Sequence, residues 1–423
     1  MEFKEVFKVN DLIESVSETY SLSADEVVLI NTSDILSGKV LNHQKVNNIN
    51  LKGQFKKSFK KDDILYSEIR PKNSRYAYID FEPIDYIAST KLMVLRRKNP
   101  KALQKYIYYF LTSNNTLEKL QMLAESRSGT FPQITFNELG SLEMQVPTLN
   151  EQINIANFLD NLNLKIEVNN AIVANLEAQA QAIFKSWFID FEPFQDGEFV
   201  ERELGMIPEG WEVGKLGNST LGKLISSGIS NFENEKVYLA TSDVTDSNIT
   251  NYQNKVTFED RPSRANMQPL KNSVWFAKMK ESRKLIYVGN NNNFLINETI
   301  FSTGFAGIES NEIGINYLWT YLLTEDFDNK KNLLSNGTTM QAINNANINR
   351  IKILIPEEEV LEKFNELVKP MYEIISIYKN QNITLAQLRD TLLPKLMSGE
   401  IRVGRESTET LENIEEIDVK ENL

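Results

Sequence analysis

The stretch Pro147–Phe188, PTLNEQINIANFLDNLNLKIEVNNAIVANLEAQAQAIFKSWF, decides the fold. Apolar residues recur at Leu159, Leu162, Ile166, Val173, Leu176, Ala180, Ile183 and Trp187. The steps alternate three and four, with Asn169 filling the slot between Ile166 and Val173. That spacing predicts one helix with a heptad seam kept for about four repeats. The pattern returns 209 residues later, where Pro356 takes the place of Pro147. The seam positions there are Val368, Met371, Ile375, Tyr378, Asn382, Leu385, Arg389, Leu392 and Leu396. Two seams of equal length in one chain are expected to pack on each other, antiparallel if a two-fold relates the halves. One polar slot per seam, Asn169 and Asn382, is expected to fix register. The alternative is an ordinary helical core. Pro370 is expected to end a turn or kink the second helix near its start, and Pro394 near its end, because proline lacks an N–H and clashes with the preceding turn.

The repeat extends upstream of each helix. Gly129-Thr130-Phe131-Pro132-Gln133 precedes the first, and Gly337-Thr338-Thr339-Met340-Gln341 the second. Ile64–Ile69, Leu92–Leu95 and Val274–Ala277 carry strand patterns. Tyr106–Leu111 and Tyr317–Leu323 read as helices, and Ser302–Phe305 parallels Ser89–Leu92. A unit of this length is no solenoid repeat, which runs roughly 20–50 residues. It is a duplicated α/β domain plus helix, so the fold class is α+β: domain, long helix, domain, long helix, the helices forming an antiparallel coiled coil. The expected boundaries are 1–148, 149–200, 201–356 and 357–404, with an acidic mobile tail over 405–423.

The 423 residues include no cysteine and one histidine, His43, which excludes disulfides, thiolate metal sites and histidine clusters. The opening residues lack a signal peptide's apolar core, and no apolar run approaches the roughly 20 residues of a membrane helix. A cytoplasmic protein, with no membrane partner, is expected. The net charge of −12 argues at first against nucleic acid. Its distribution softens that objection, because residues 1–148 hold 20 Lys/Arg against 18 Asp/Glu, while 149–200 hold 2 against 8. The acid lies mainly in the helices and tail, and phosphate binding follows local potential.

Four stretches, in order, resemble the specificity subunit of type I restriction–modification systems. Pro147–Gln152 with the heptads is similar to that family's central region. Ala182–Phe188 with Asp190-Phe191-Glu192-Pro193 is similar to the end of its helix. Gly205-Met206-Ile207-Pro208-Glu209-Gly210-Trp211 resembles the opening of a target recognition domain. Leu388–Ile401 resembles the C-terminal signature. Residues 1–20 lack a clear copy of the Pro-Glu-Gly-Trp opening, a departure from the pattern. The resemblance implies two target recognition domains, each reading half of a bipartite site on double-stranded DNA. It implies helical spacers that set the gap and dock two methyltransferase (modification) subunits and the restriction/translocase subunits. S-adenosylmethionine, ATP and Mg would belong to those partners, with no cofactor, metal or catalytic residue in this chain. A helix of about 38 residues at about 1.5 Å per residue spans roughly 57 Å. That is about one and a half turns of B-DNA. The rival reading is a coiled-coil adaptor with two protein-binding heads.

Lys52, Lys56, Lys57, Lys60 and Lys61 form the densest basic run, interleaved with Phe55 and Phe59. They are candidates for phosphate contact, weighed against a solvated strand or turn. Arg70, Lys72 and Arg75 follow a strand and are candidates for a groove edge. Lys278, Lys280, Arg283 and Lys284 take the equivalent place in the second domain. Arg127, Ser128, Thr130 and Gln133, with Thr338 and Gln341, belong to the Gly-Thr loops, which either touch DNA or buttress the helix entrance. Trp211 reads as core. The seam residues Leu159, Leu162, Ile166, Val173, Leu176, Trp187, Met371, Ile375, Leu385, Leu392 and Leu396 are the candidate coiled-coil and partner surface, and the acid at Glu167 and Glu177 is a candidate contact for a basic partner. Gly217–Lys223 has phosphate-loop spacing, but Leu224 stands where Ser or Thr should be and no buried strand leads in. Asp62, Asp63 and Glu68 read as a charged turn rather than a metal site.

Overall fold

The computed structural model describes residues 5–21, 24–49, 53–126, 132–337 and 341–403. The candidates Lys52, Arg127, Ser128, Thr130 and Thr338, and the acidic tail, lie outside them. The chain forms two compact units, one joining Met1–Glu167 to Asn382–Leu423, the other spanning Val168–Gln381. The helices Leu149–Phe188 and Glu358–Ser398 each contribute one part to either unit.

The first unit holds two four-stranded sheets. One runs in the order Lys45–Asn47, Glu26–Ile30, Tyr86–Ser89, Phe55–Lys57; its central pair is parallel. The other runs Ile13–Val16, Leu92–Arg97, Ile64–Ser67, Tyr76–Tyr78, antiparallel throughout. Side chains alternate along a strand with period two, so one strand serves two cores. Leu65, Leu92 and Val94 face the first sheet together with Val28 and Ile30. Ile64, Tyr66, Met93 and Leu95 face the opposite way, toward the helices Gln104–Thr112 and Asn114–Glu125. Into that second core come Ile155, Ala156 and Leu159 of the first long helix, and Leu393, Leu396 and Met397 of the second.

The second unit repeats this layout. Its sheets run Lys255–Val256, Lys236–Leu239, Thr299–Ser302, Ala265–Met267 and Lys223–Leu224, Phe305–Glu309, Ser273–Ala277, Leu285–Val288. Trp275 and Ala277 face one core, and Val274 and Phe276 the other. The latter is closed by Val173, Ala180, Phe184 and Phe188 of the first long helix and Leu361, Phe364, Val368, Tyr372 and Ile375 of the second. Phe188 meets Tyr317 at 4.9 Å, Phe364 at 5.0 Å and Trp211 at 5.8 Å between ring centroids. Trp211 is core, as its sequence context suggests.

Within each unit the two helical segments run antiparallel. In the first, Arg402 pairs with Glu151 and Arg389 donates to Asn163 at 2.9 Å. In the second, Asn169 donates to Gln381 at 2.8 Å and Lys379 reaches Glu177 at 3.0 Å. Asn169, the polar slot of the first seam, is fully buried. The seam residues Leu159, Leu162, Val173, Ile375 and Leu396 are buried, and Ile166, Leu176, Trp187, Met371, Leu385 and Leu392 are half-buried. Toward the end of the first helix, burial moves from Ile183 and Trp187 to Phe184 and Phe188. A helix of 3.6 residues per turn drifts against a strict heptad, which carries the buried stripe onto the next residue. The second helix runs unbroken through Pro370 and Pro394, contrary to the expectation that Pro370 ends a turn. Its continuity is set by packing on both sides of Pro370, at Val368 and Tyr372.

The entrance to the first long helix is fixed by polar groups. Thr148 and Glu151 form a capping arrangement, the Thr148 N–H and hydroxyl donating to the Glu151 carboxylate at 3.1 and 2.9 Å. Gln152, with no exposed surface, accepts from the Leu103 N–H at 2.6 Å and donates to the Lys101 and Pro147 carbonyls, each at 2.8 Å. Gln152→Leu removes all three bonds and leaves buried backbone groups unpaired. It is expected to lower stability by about 2–4 kcal/mol in urea unfolding of the whole chain; an unchanged midpoint would contradict this account of the helix entrance.

Candidate nucleic-acid interface

The strand Ile64–Ser67 ends in a turn that two other segments hold, one of them secured in its place by a third. The Glu68 N–H donates to the Lys91 carbonyl at 3.2 Å, and the Ile134 N–H donates to the Glu68 carbonyl at 2.8 Å. The Arg70 N–H donates to Pro132 O at 3.0 Å, and the Thr90 N–H to Gln54 O at 2.7 Å. Arg70 itself adopts a left-handed conformation, φ 45°, before Pro71 opens a short 3₁₀ turn. The second unit makes the same four bonds: Lys278 N–H to Gly304 O at 2.9 Å, Ile343 N–H to Lys278 O at 2.9 Å, Lys280 N–H to Gln341 O at 2.9 Å, and Thr303 N–H to Arg264 O at 2.8 Å. Glu68 therefore corresponds to Lys278, Arg70 to Lys280, Lys91 to Gly304 and Gln54 to Arg264. One backbone junction occurs twice, with different side chains on it. Arg70 and Lys91 stand exposed in the first copy, Arg264 in the second, with Lys280 half-exposed. Lys91 and Arg264 escaped the sequence reading. For Lys91 the signal was there in the matched turns Ser89–Leu92 and Ser302–Phe305, whereas Arg264 is brought to the junction only by the bond from the Thr303 N–H. The described ends of the Gly-Thr loops, Gln133 and Gln341, lie at this junction and buttress it.

Several candidate cations are engaged inside the protein. Arg75 donates to the Ser33 and Ile35 carbonyls, each at 3.1 Å, and Lys284 donates to Thr241 O at 2.6 Å. Their backbones are equivalent too, since Ser67 N–H donates to Arg75 O at 2.8 Å and Ala277 N–H to Lys284 O at 2.9 Å. Each cation ties its strand to a Thr-Ser-Asp turn, Thr32–Asp34 or Thr241–Asp243, a match 209 residues apart that the sequence reading passed over. Arg283 pairs with Asp328 at 2.7 Å and donates to Leu323 O. Lys57 donates to Leu92 O at 2.8 Å and Thr90 O at 3.3 Å; burial lowers its pKa, opposed by Glu68. Burial also lowers that of Lys278. Phe59 is buried, so the basic run keeps Lys56, Lys60 and Lys61 at the surface, Lys60 lying 3.7 Å from Glu18. Lys72 is exposed, 3.9 Å from Glu118. Glu167 and Glu177 are likewise engaged within their own units: Glu167 pairs with Lys39 at 2.7 Å, and Glu177 with Lys379.

The enzymatic alternatives find no geometry. In Gly217–Lys223 the Ser219 N–H donates to Gly222 O and the Leu224 N–H to Gly217 O, so amides a phosphate cradle would need are committed. Asp63 is buried and holds Arg96 through two oxygens at 2.8 and 2.7 Å, while Asp62 accepts from Tyr78. Among the described residues no cluster of three His, Asp or Glu could hold a metal ion, and no helix is long and apolar enough to cross a membrane.

The profile described as "Type I restriction modification DNA specificity domain" matches residues 1–178. The type I restriction enzyme HindI specificity subunit of Haemophilus influenzae is 30% identical over 470 aligned positions, covering 93% of this chain and 99% of the relative. The chain belongs to the type I restriction enzyme specificity subunits. The MjaIX specificity subunit of Methanocaldococcus jannaschii is also 30% identical, over 76% of each chain. The S subunit of the type I restriction–modification system from M. genitalium shares the fold, with a TM-score of 0.51 at 16% identity over 93% of this chain and 96% of that one. A specificity subunit is the non-catalytic, recognition member of its system, which accords with a chain whose duplicated feature is a backbone junction carrying cations.

The two groups of cations in this specificity subunit separate by substitution. Arg75→Met and Lys284→Met remove bonds to partly buried carbonyls and are expected to cost about 1–2 kcal/mol each. Arg70→Ala and Lys61→Ala, at exposed positions, are expected to stay within about 0.5 kcal/mol of the parent. Thermal unfolding of the four variants measures the difference; equal losses in all four would refute the division.

Proposed function

We propose that each head, residues 1–148 and 201–356, reads one half of a bipartite site on double-stranded DNA. The observation that carries this reading is the duplicated junction, four matching backbone bonds that hold a cationic turn in each unit. Arginine and lysine there suit phosphate oxygens and guanine edges. The helical spacers, residues 149–200 and 357–404, set the gap between half-sites. The helices run 40 and 41 residues, or about 60 Å at 1.5 Å per residue. They also dock two methyltransferase subunits and restriction/translocase subunits. Support for docking comes from large apolar side chains left exposed on them, Leu164, Val168, Leu367, Ile374 and Ile377. Two of these, Val168 and Ile377, are 209 residues apart and so occupy matching positions. S-adenosylmethionine, ATP and Mg act in the partner subunits, and this chain supplies no reacting group. The assembly works in the cytoplasm, where the DNA is.

Co-expression with the neighbouring methyltransferase, followed by mapping of methylated adenines, tests the reading. The expected result is a two-part motif with a fixed gap. Inserting a few residues into one long helix is expected to change the gap and leave both half-sites intact. Arg70→Ala and Lys280→Ala are each expected to reduce the salt dependence of binding by about one counterion. A map without a two-part motif would favour the protein-binding adaptor instead.

A further inference from the structure

The helix after the aromatic helix in each unit carries a duplicated feature that the reading above does not use. In the first unit it is Asn114–Glu125, in the second Glu325–Leu333. Two hydrogen-bond landmarks align them 211 residues apart. At the start, the Ser113 hydroxyl donates to Phe110 O at 2.8 Å and the Thr324 hydroxyl to Tyr321 O at 2.7 Å. Near the end, Gln121 accepts from the Lys72 N–H at 3.2 Å and Asn332 accepts from the Glu281 N–H at 2.8 Å. Each amide side chain thus braces the turn that continues from the junction. The residue after it is Met122 in one copy and Leu333 in the other. Met122 is 63% exposed, and Leu333, at 83%, is the most exposed large apolar side chain among the described residues. A lysine stands one helical turn before each, Lys119 and Lys330.

A single exposed apolar residue needs no explanation. Two in matching places are different, because the same helix position carries an exposed apolar side chain in both copies. Each stands beside a braced cationic turn and behind a lysine. The partner such a point fits is one with negative charge around a small apolar target. Double-stranded DNA has this chemistry: phosphates line the groove, and the thymine C5-methyl is the apolar group on its floor.

We propose that Met122 and Leu333 are specificity-determining residues, each packing against a thymine methyl in the half-site its own head reads. This rests on the reading of the heads as DNA readers. The turns bearing Arg70 and Lys280 hold the backbone register, and the apolar tips take the base edge.

The test uses the assembled complex with its methyltransferase and a duplex carrying the mapped site. Thymines are replaced one at a time by deoxyuridine, which removes only the methyl. One position in each half-site is expected to weaken binding about fourfold, the worth of one methyl group withdrawn from water. Met122→Ala is expected to abolish the response in one half-site and Leu333→Ala in the other, with thermal midpoints unchanged. Neutral deoxyuridine at every position, or variants that keep the parent's response, would overturn the proposal while the two-part motif stands. A fall of several degrees in the midpoint of either variant would also overturn it, since the side chain would then be structural. Absence of a two-part motif in the parent would instead strike the underlying reading.

Discussion

Burial of a helical seam is the constraint on which the rest of this protein depends. Neither head closes its own core. In the first unit Ile64, Tyr66, Met93 and Leu95 present an apolar sheet face that the head's helices cover only in part, and Leu159, Leu393 and Leu396 complete it. In the second, Val274 and Phe276 are completed by Phe184, Phe188, Phe364 and Tyr372. The long helices have the same need, since one apolar stripe on a lone helix has nowhere to go in water. Packing two antiparallel segments on a sheet and its helices satisfies both. Gln152 then aims the first long helix with three hydrogen bonds, and the buried Asn169 with Gln381 sets a polar contact inside a mostly apolar seam.

On that frame the two heads have diverged in chemistry and kept their backbone. Four hydrogen bonds at the junction recur with nearly equal lengths, yet Glu68 has become Lys278 and Gln54 has become Arg264. A junction built from main-chain bonds tolerates such exchange, because backbone groups are the same whatever the side chain. The cations that tie a strand to its Thr-Ser-Asp turn are present in both copies. Arg75 and Lys284 differ in kind but bond to the same Thr-Ser-Asp turn. A cation there supplies a donor to the partly buried carbonyls of Ile35 and Thr241.

Much of the fold was legible because its determinants are periodic. Heptad spacing gave the long helices, and the matched prolines gave the duplication. The strand patterns at Ile64–Ile69 and Val274–Ala277 marked the central strands of both heads. What escaped was set by contacts distant in sequence. Nothing local separates Arg75 from Arg70, yet one points at the carbonyls of Ser33 and Ile35 and the other at solvent. Lys57 reads as one of a basic run, but strand alternation turns it toward Thr90 and Leu92 while Lys56 stays outside. Pro370 reads as the end of a turn or a kink, and tertiary packing carries a continuous helix through it. The Thr-Ser-Asp turns were missed for another reason: three small polar residues carry no periodicity, and only their shared cationic partner reveals their importance.

The chain path has a consequence for the order of assembly. Val168–Gln381 is one uninterrupted stretch, so the second unit has all its parts as soon as that stretch leaves the ribosome. The first unit opens earlier in the chain but lacks Leu393, Leu396 and Met397 until the stretch that follows the second unit has been made. Its inner sheet face must wait, partly uncovered, for residues made after the whole of the second unit. The usual vectorial sequence, N-terminal domain first, is thus reversed for completion of the two cores, and the nascent polypeptide carries an unsealed apolar surface while the second unit is made.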